Sequence, residues 1–128
     1  MVLPEVQVII PCEASDGLST LVLASIWEFN PDEPWTFNLS FIGQDAEWVI
    51  SLGLVEEAVT NPNGDLHGYA DVRVTAFEGF LTIRLDNGQK ACLLDFPISD
   101  VEEFLNEVDT SNAQMIIGQK LDEFLETL

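Results

Sequence analysis

The chain has 128 residues, four Lys or Arg against 23 Asp or Glu, and a formal net charge of −19. That balance argues against direct binding to nucleic acid or an anionic membrane, because both draw affinity from cations set against phosphate. Apolar residues make up 47% of the chain, which excludes a disordered acidic tail and suits one domain over residues 1–128.

The pattern predicts mainly strands with helices gathered at the end. Residues 6–10 read as a first strand, closed by Pro11. Ser15-Asp16-Gly17 turns the chain into a long apolar strand ending at Phe29. Two prolines within Asn30–Pro34 mark a turn. From Trp35 to Phe41 apolar and polar residues alternate, so that Trp35, Phe37, Leu39 and Phe41 share a core face. Residues 47–50 alternate again, with Trp48 and Ile50 on one side.

Helical spacing follows from Leu52, carried by Leu54, Val55, Ala58 and Val59. Asn61-Pro62-Asn63-Gly64 stops that helix, because Pro62 cannot donate a backbone bond and Gly64 tolerates positive φ. A strand restarts over residues 69–75. In the hairpin from Phe80 to Phe96, Asn87-Gly88 occupies the centre of a type I′ turn. Leu81, Ile83 and Leu85 form one face of its first strand, and Cys92, Leu94 and Phe96 one face of its second. Pro97 ends it, and Ser99 with Glu102 spells a capping box. Val101, Phe104, Leu105 and Val108 then make one apolar helical stripe opposite Glu103, Asn106 and Glu107. After Ser111-Asn112 a second helix carries Leu121, Phe124, Leu125 and Leu128. The expected class is α+β: about seven mostly antiparallel strands, a short internal helix and two C-terminal helices.

Reactive chemistry is sparse. The chain has one histidine, His67, expected in a solvated loop. A Ser51-His67-Asp71 trio can be written, but nothing supplies a strained nucleophile turn or an oxyanion hole. Glu56-Glu57 and Glu102-Glu103 are neighbours on helices and diverge by about 100°. Asn61, Asn63 and Asp65 imitate alternate calcium ligands, yet the Gly and Glu an EF-hand needs fall at the wrong positions. Cys12 and Cys92 sit in apolar strand-like runs and read as reduced, buried thiols. No catalytic set, cofactor or metal site is expected, and the protein reads as a non-enzyme. Trp27, Trp35 and Trp48 could stack bases, but without a basic groove stacking holds a single strand weakly, so core packing is the expected role. Nothing basic precedes Arg73, and the apolar run over 18–27 is too short to cross a bilayer, so a cytoplasmic location is expected.

The order of residues around Trp48 carries a resemblance. Trp48, Leu54-Val55, Pro62-Asn63-Gly64 and Asp71-Val72-Arg73-Val74 together resemble the central motif of the SsgA-like (SsgB-type) family of actinobacterial sporulation and cell-division proteins. Phe29-Asn30-Pro31-Asp32-Glu33-Pro34-Trp35 is similar to that family's Tyr-Asp-Pro-x-x-Pro-Tyr element. Residues 101–108 and 121–128 resemble its Phe-Leu helix and Leu-Asp-x-x-Leu ending. Leu52 stands where the family motif usually carries Arg, and Ala58 where it carries Gly. The resemblance implies a Whirly-like fold, a homo-oligomer such as a trimer, and no direct nucleic-acid contact at this net charge. It also implies a non-enzymatic adaptor of division and sporulation that binds the tubulin-like division GTPase or associated division proteins. Septal location would come through partners, without membrane insertion. The residues expected to form the partner surface are Glu56, Glu57, Asp65, His67 and Asp71. An alternative reading is an acidic inhibitor or DNA mimic, phage-encoded in one version, that occupies a basic nucleic-acid-binding protein.

Overall fold

Alternation of apolar and polar residues builds one curled antiparallel sheet whose inner face is covered by two helices. The computed structural model describes residues 5–62, 67–69, 71–86 and 88–127, with side chains for the same residues except 67, 69 and 113–122. In chain order the elements are β1 (Val6–Ser15), β2 (Thr20–Phe29), β3 (Thr36–Phe41), β4 (Glu47–Ser51), α1 (Leu52–Thr60), β5 (His67–Tyr69), β6 (Val72–Phe77), β7 (Phe80–Asp86), β8 (Ala91–Pro97) and α2 (Ile98–Glu126). The sheet order is β4-β3-β2-β1-β8-β7-β6-β5. It consists of two four-stranded meanders, joined where Glu13–Ser15 of β1 pairs with Leu93–Asp95 of β8. The expected α+β class, with antiparallel strands and an internal helix, is the one the chain adopts.

Trp27 organises the core. Its indole stacks on Phe37 of β3 at 4.6 Å and 9°, and meets Phe96 of β8 and Phe104 of α2 edge-on at 5.0 and 5.3 Å. Phe37 and Phe104 also meet edge-on at 5.5 Å. The buried indole N–H donates to Ser25 Oγ at 3.1 Å, and that hydroxyl donates to the Ile10 carbonyl of β1 at 2.6 Å. Five elements therefore meet at one side chain and its hydrogen-bond relay. The stripe read from spacing in α2 closes this core, with Val101, Phe104, Leu105 and Val108 all buried. From α1 come Leu52, Val55 and Ala58.

Several local expectations change. Pro11 does not end β1, which runs on to Ser15 and stays paired with β2 throughout. Beside Pro11 the other flank of the strand carries no ladder, since β8 joins only at Glu13, so the missing N–H leaves no gap there. Trp35 is 81% exposed, against 1% for Phe37. It precedes β3 and lies in the turn, where strand alternation does not apply; its carbonyl accepts the Leu52 N–H at 3.0 Å. The strand expected over 69–75 is two strands, β5 and β6, folded together with Tyr69 opposite Val72. Gly68 permits this fold-back: its φ is +108°, and a Cβ there would strike the Val72 carbonyl. His67 accordingly opens β5 opposite Val74, instead of lying in a loop.

The type I′ turn is in a different hairpin from the one expected. Phe77 pairs with Phe80, and between them Glu78 and Gly79 have φ of 50° and 85°. In the next hairpin Asp86 pairs with Ala91, which leaves four linking residues, and the Asp86 carboxylate accepts the Gly88 N–H at 2.8 Å. Asn87 lies outside the described residues. The capping box is also absent: α2 starts at Ile98, and Ser99 makes no cap bond. The Ile98 N–H instead donates to the Gly79 carbonyl of the β6–β7 turn at 2.9 Å, so tertiary structure supplies the cap. Finally, α2 runs through Ser111-Asn112 without a break. Neither residue forbids a helix, Ser111 is buried, and the Thr110 hydroxyl folds back onto the Asn106 carbonyl.

Two measurements check this account. Ser25→Ala leaves the indole N–H and the Ile10 carbonyl without their buried partner, and is expected to cost about 1–3 kcal/mol in denaturant unfolding. Glu78→Asn places a residue suited to positive φ in the β6–β7 turn, and is expected to raise stability by up to about 1 kcal/mol.

Candidate functional site

The acidic segment singled out in the sequence is only partly assembled by the fold. Glu56 and Glu57 are exposed on α1. Asp71 is exposed in the β5–β6 turn, its carbonyl accepting the Asp86 N–H at 2.9 Å. Asp65 and the side chain of His67 lie outside the described residues. Ser51 is exposed where β4 runs into α1.

What the structure adds is a second helix beside α1. Glu56, Val59 and Thr60 of α1 face Glu102, Leu105, Asn106 and Asp109 of α2 across an open groove of about 470 Å³. The two contributing sets follow from helical geometry. Glu56, Val59 and Thr60 are i, i+3, i+4 on α1, and Glu102, Leu105, Asn106 and Asp109 are i, i+3, i+4, i+7 on α2. Leu105 forms part of the floor at 9% exposure. Three carboxylates, from Glu56, Glu102 and Asp109, stand around it, and among the described residues no Lys or Arg lines it. Glu57 and Asp71 are not part of this lining. Sequence spacing marks Glu102, Asn106 and Asp109 as the flank of an apolar stripe, but which helix that flank would meet depends on tertiary packing.

Such a groove attracts cations and offers an apolar floor, a combination suited to a basic amphipathic segment. Among the described residues no three His, Cys, Asp or Glu converge to hold a metal ion. Both cysteines are free thiols. Burial pushes the Cys12 thiol up to about 11, helped by the neighbouring Cys92 thiol and the Asp95 carboxylate. The Cys92 thiol is also raised, first by burial and then by Asp16. The spacing of eighty positions gave no sign of this proximity; the β1–β8 pairing brings it about. Among the described residues no helix is long and apolar enough to cross a membrane.

An open antiparallel sheet packed over a short internal helix and a long C-terminal helix defines a class of small α+β proteins, and comparison places the fold of this one within it. The family model described as Streptomyces sporulation and cell division protein, SsgA, matches residues 23–114. The chain belongs to this SsgA family of sporulation and cell-division proteins. Among solved structures it is similar to SsgB of Streptomyces coelicolor, a protein whose mutations correlate to longitudinal cell division during sporulation. That likeness has a TM-score of 0.74 at 22% identity and covers 87% of this chain and 89% of the other. An SsgA-like sporulation-specific cell-division protein from Thermobifida fusca aligns with a TM-score of 0.71 at 15% identity, over 95% and 96% of the two chains. These levels of identity establish a shared fold. No curated protein matches the chain.

The thiol environment generates a stability prediction. A thiol whose folded pKa lies above its unfolded value favours the folded state most below the unfolded value, and that advantage is lost as pH rises. For Cys12 the window runs from 9.0 to about 11. Unfolding free energy is expected to fall more steeply across that window in the wild type than in Cys12→Ala, as measured by urea denaturation at stepped pH.

Proposed function

We propose that this protein is a non-enzymatic adaptor of cell division and sporulation that binds the division machinery through its acidic α1–α2 groove. The partner is the tubulin-like division GTPase or a protein that accompanies it, presenting a basic amphipathic segment. The carrying observation is the groove itself, with three carboxylates over an apolar floor and, among the described residues, no lining Lys or Arg. Family membership supports the cellular process.

Exposed Glu57 and Asp71 join the partner surface in this reading, together with Asp65 and His67, named from the sequence alone. The adaptor sits in the cytoplasm at the septum, held there by partners, with no nucleic acid or membrane insertion of its own. It works as a homo-oligomer. Exposed Ile9 of β1 and Val22 of β2, on paired neighbouring strands at the outer side of the sheet, supply apolar surface that a second copy would cover.

Co-sedimentation of the full chain with polymerised division GTPase tests the proposal. The wild type is expected to pellet with polymer at low salt and to lose binding as ionic strength rises. The double variant Glu56→Lys, Glu102→Lys is expected to bind at least about tenfold more weakly while unfolding at the same denaturant midpoint, as repulsion replaces attraction in the groove. Salt-independent pelleting that ignores both substitutions would remove the groove from the interaction. Light scattering on the same sample reads the oligomer.

A further inference from the structure

Two of the four cationic side chains of this acidic chain stand directly opposite each other. Arg73 of β6 pairs across the strands with Arg84 of β7, on the outer face of the sheet, away from the buried Val74, Ile83 and Leu94. Like charges in facing positions destabilise a sheet. With 23 carboxylates in the chain, an acidic residue opposite either arginine would be the ordinary solution.

The local partners do not remove the anomaly. Arg84 is held by Asp86 on its own strand, Nη2 to Oδ2 at 3.2 Å. Asp95, the neighbouring carboxylate on β8, accepts the Thr82 hydroxyl at 2.6 Å. Arg73 meets no carboxylate among the described residues, and its Nε is shut off from solvent without an acceptor. Two positions along the same strand and face, the Thr75 hydroxyl is likewise buried without a partner. Only one other described side-chain atom shares that condition, Asn112 Oδ1, so two of the three cluster beside the arginine pair. Buried donors without acceptors are costly, and their clustering points to a missing acceptor.

We propose that the Arg73–Arg84 pair, with the Thr75 hydroxyl, is a seat for a single oxyanion, a carboxylate or a phosphate. A guanidinium fork presents parallel N–H donors that match either group. A polyanion is excluded, because further negative charges would meet the −19 of the chain. One oxyanion brings little of that repulsion, offsets the facing positive charges and supplies the acceptor that Arg73 and Thr75 lack. The seat lies on the opposite side of the sheet from α1 and α2, and it is separate from the acidic groove.

The test is titration of the full 15N-labelled chain, at ionic strength held constant with chloride, with inorganic phosphate and separately with N-acetylglutamate. The arginine Nε–Hε resonances report binding. Saturable shifts are expected at Arg73 and Arg84, with affinity about fivefold weaker as read at Arg73 in Arg84→Gln and as read at Arg84 in Arg73→Lys, which keeps the charge but loses the fork. Saturation by N-acetylglutamate assigns the seat to a protein carboxylate, and saturation by phosphate alone assigns it to a free oxyanion. Linear shifts with both probes, equal in the wild type and Arg84→Gln, would overturn the proposal.

Discussion

The structure depends on one indole. Trp27 must lie flat on Phe37, present its edges to Phe96 and Phe104, and keep its N–H on the Ser25 hydroxyl. Stacked and edge-on geometries are the favoured arrangements of aromatic rings, and together they fix the positions of β3, β8 and α2 around β2. The Ser25 relay adds direction that hydrophobic contact alone would not supply, because it ties the indole to the Ile10 carbonyl of β1. A Ser at 0% exposure inside an apolar core is tolerable only because its donor and acceptor roles are both used.

From that node the position of the groove follows. Phe104 anchors the first turns of α2 beneath the sheet, and Val55 and Ala58 anchor α1 on the same side. The polar flanks of the two helices are then obliged to face each other across the gap. The family relation supplies a process, and the groove's chemistry supplies a kind of partner, but neither stands in for the other.

Much of this was legible in the sequence where a strict period met a buried face. Phe37, Leu39 and Phe41 alternate without a slip and are all buried, as are the four residues of the α2 stripe. Legibility ended where tertiary contacts overrule local chemistry. Asn87-Gly88 is the better turn dipeptide, yet the tight turn is at Glu78-Gly79, because the register of β6 on β7 leaves only two residues to close it. Ser99 has the right neighbour for a cap, but it is already inside the helix, which begins at Ile98 with its N–H on the Gly79 carbonyl. Trp35 continues a period in sequence that the strand has not yet begun in space. Two of the three groove carboxylates, Glu102 and Asp109, lie more than forty residues beyond Glu56, and only the shared core brings them together.

Among the described residues the sheet does not close, and its two rims are β4 and β5. An open rim exposes unpaired amides that can template growth by a foreign strand. Here β4 has five residues, begins with Glu47, and turns at once into α1. The opposite rim, β5, has three. Each offers too few rungs to be copied, and the heavy negative charge opposes a second copy approaching edge to edge. Faces and grooves, where side chains and not backbone amides meet the solvent, are left as the surfaces open to other molecules, and self-propagating growth along the sheet is opposed at both ends.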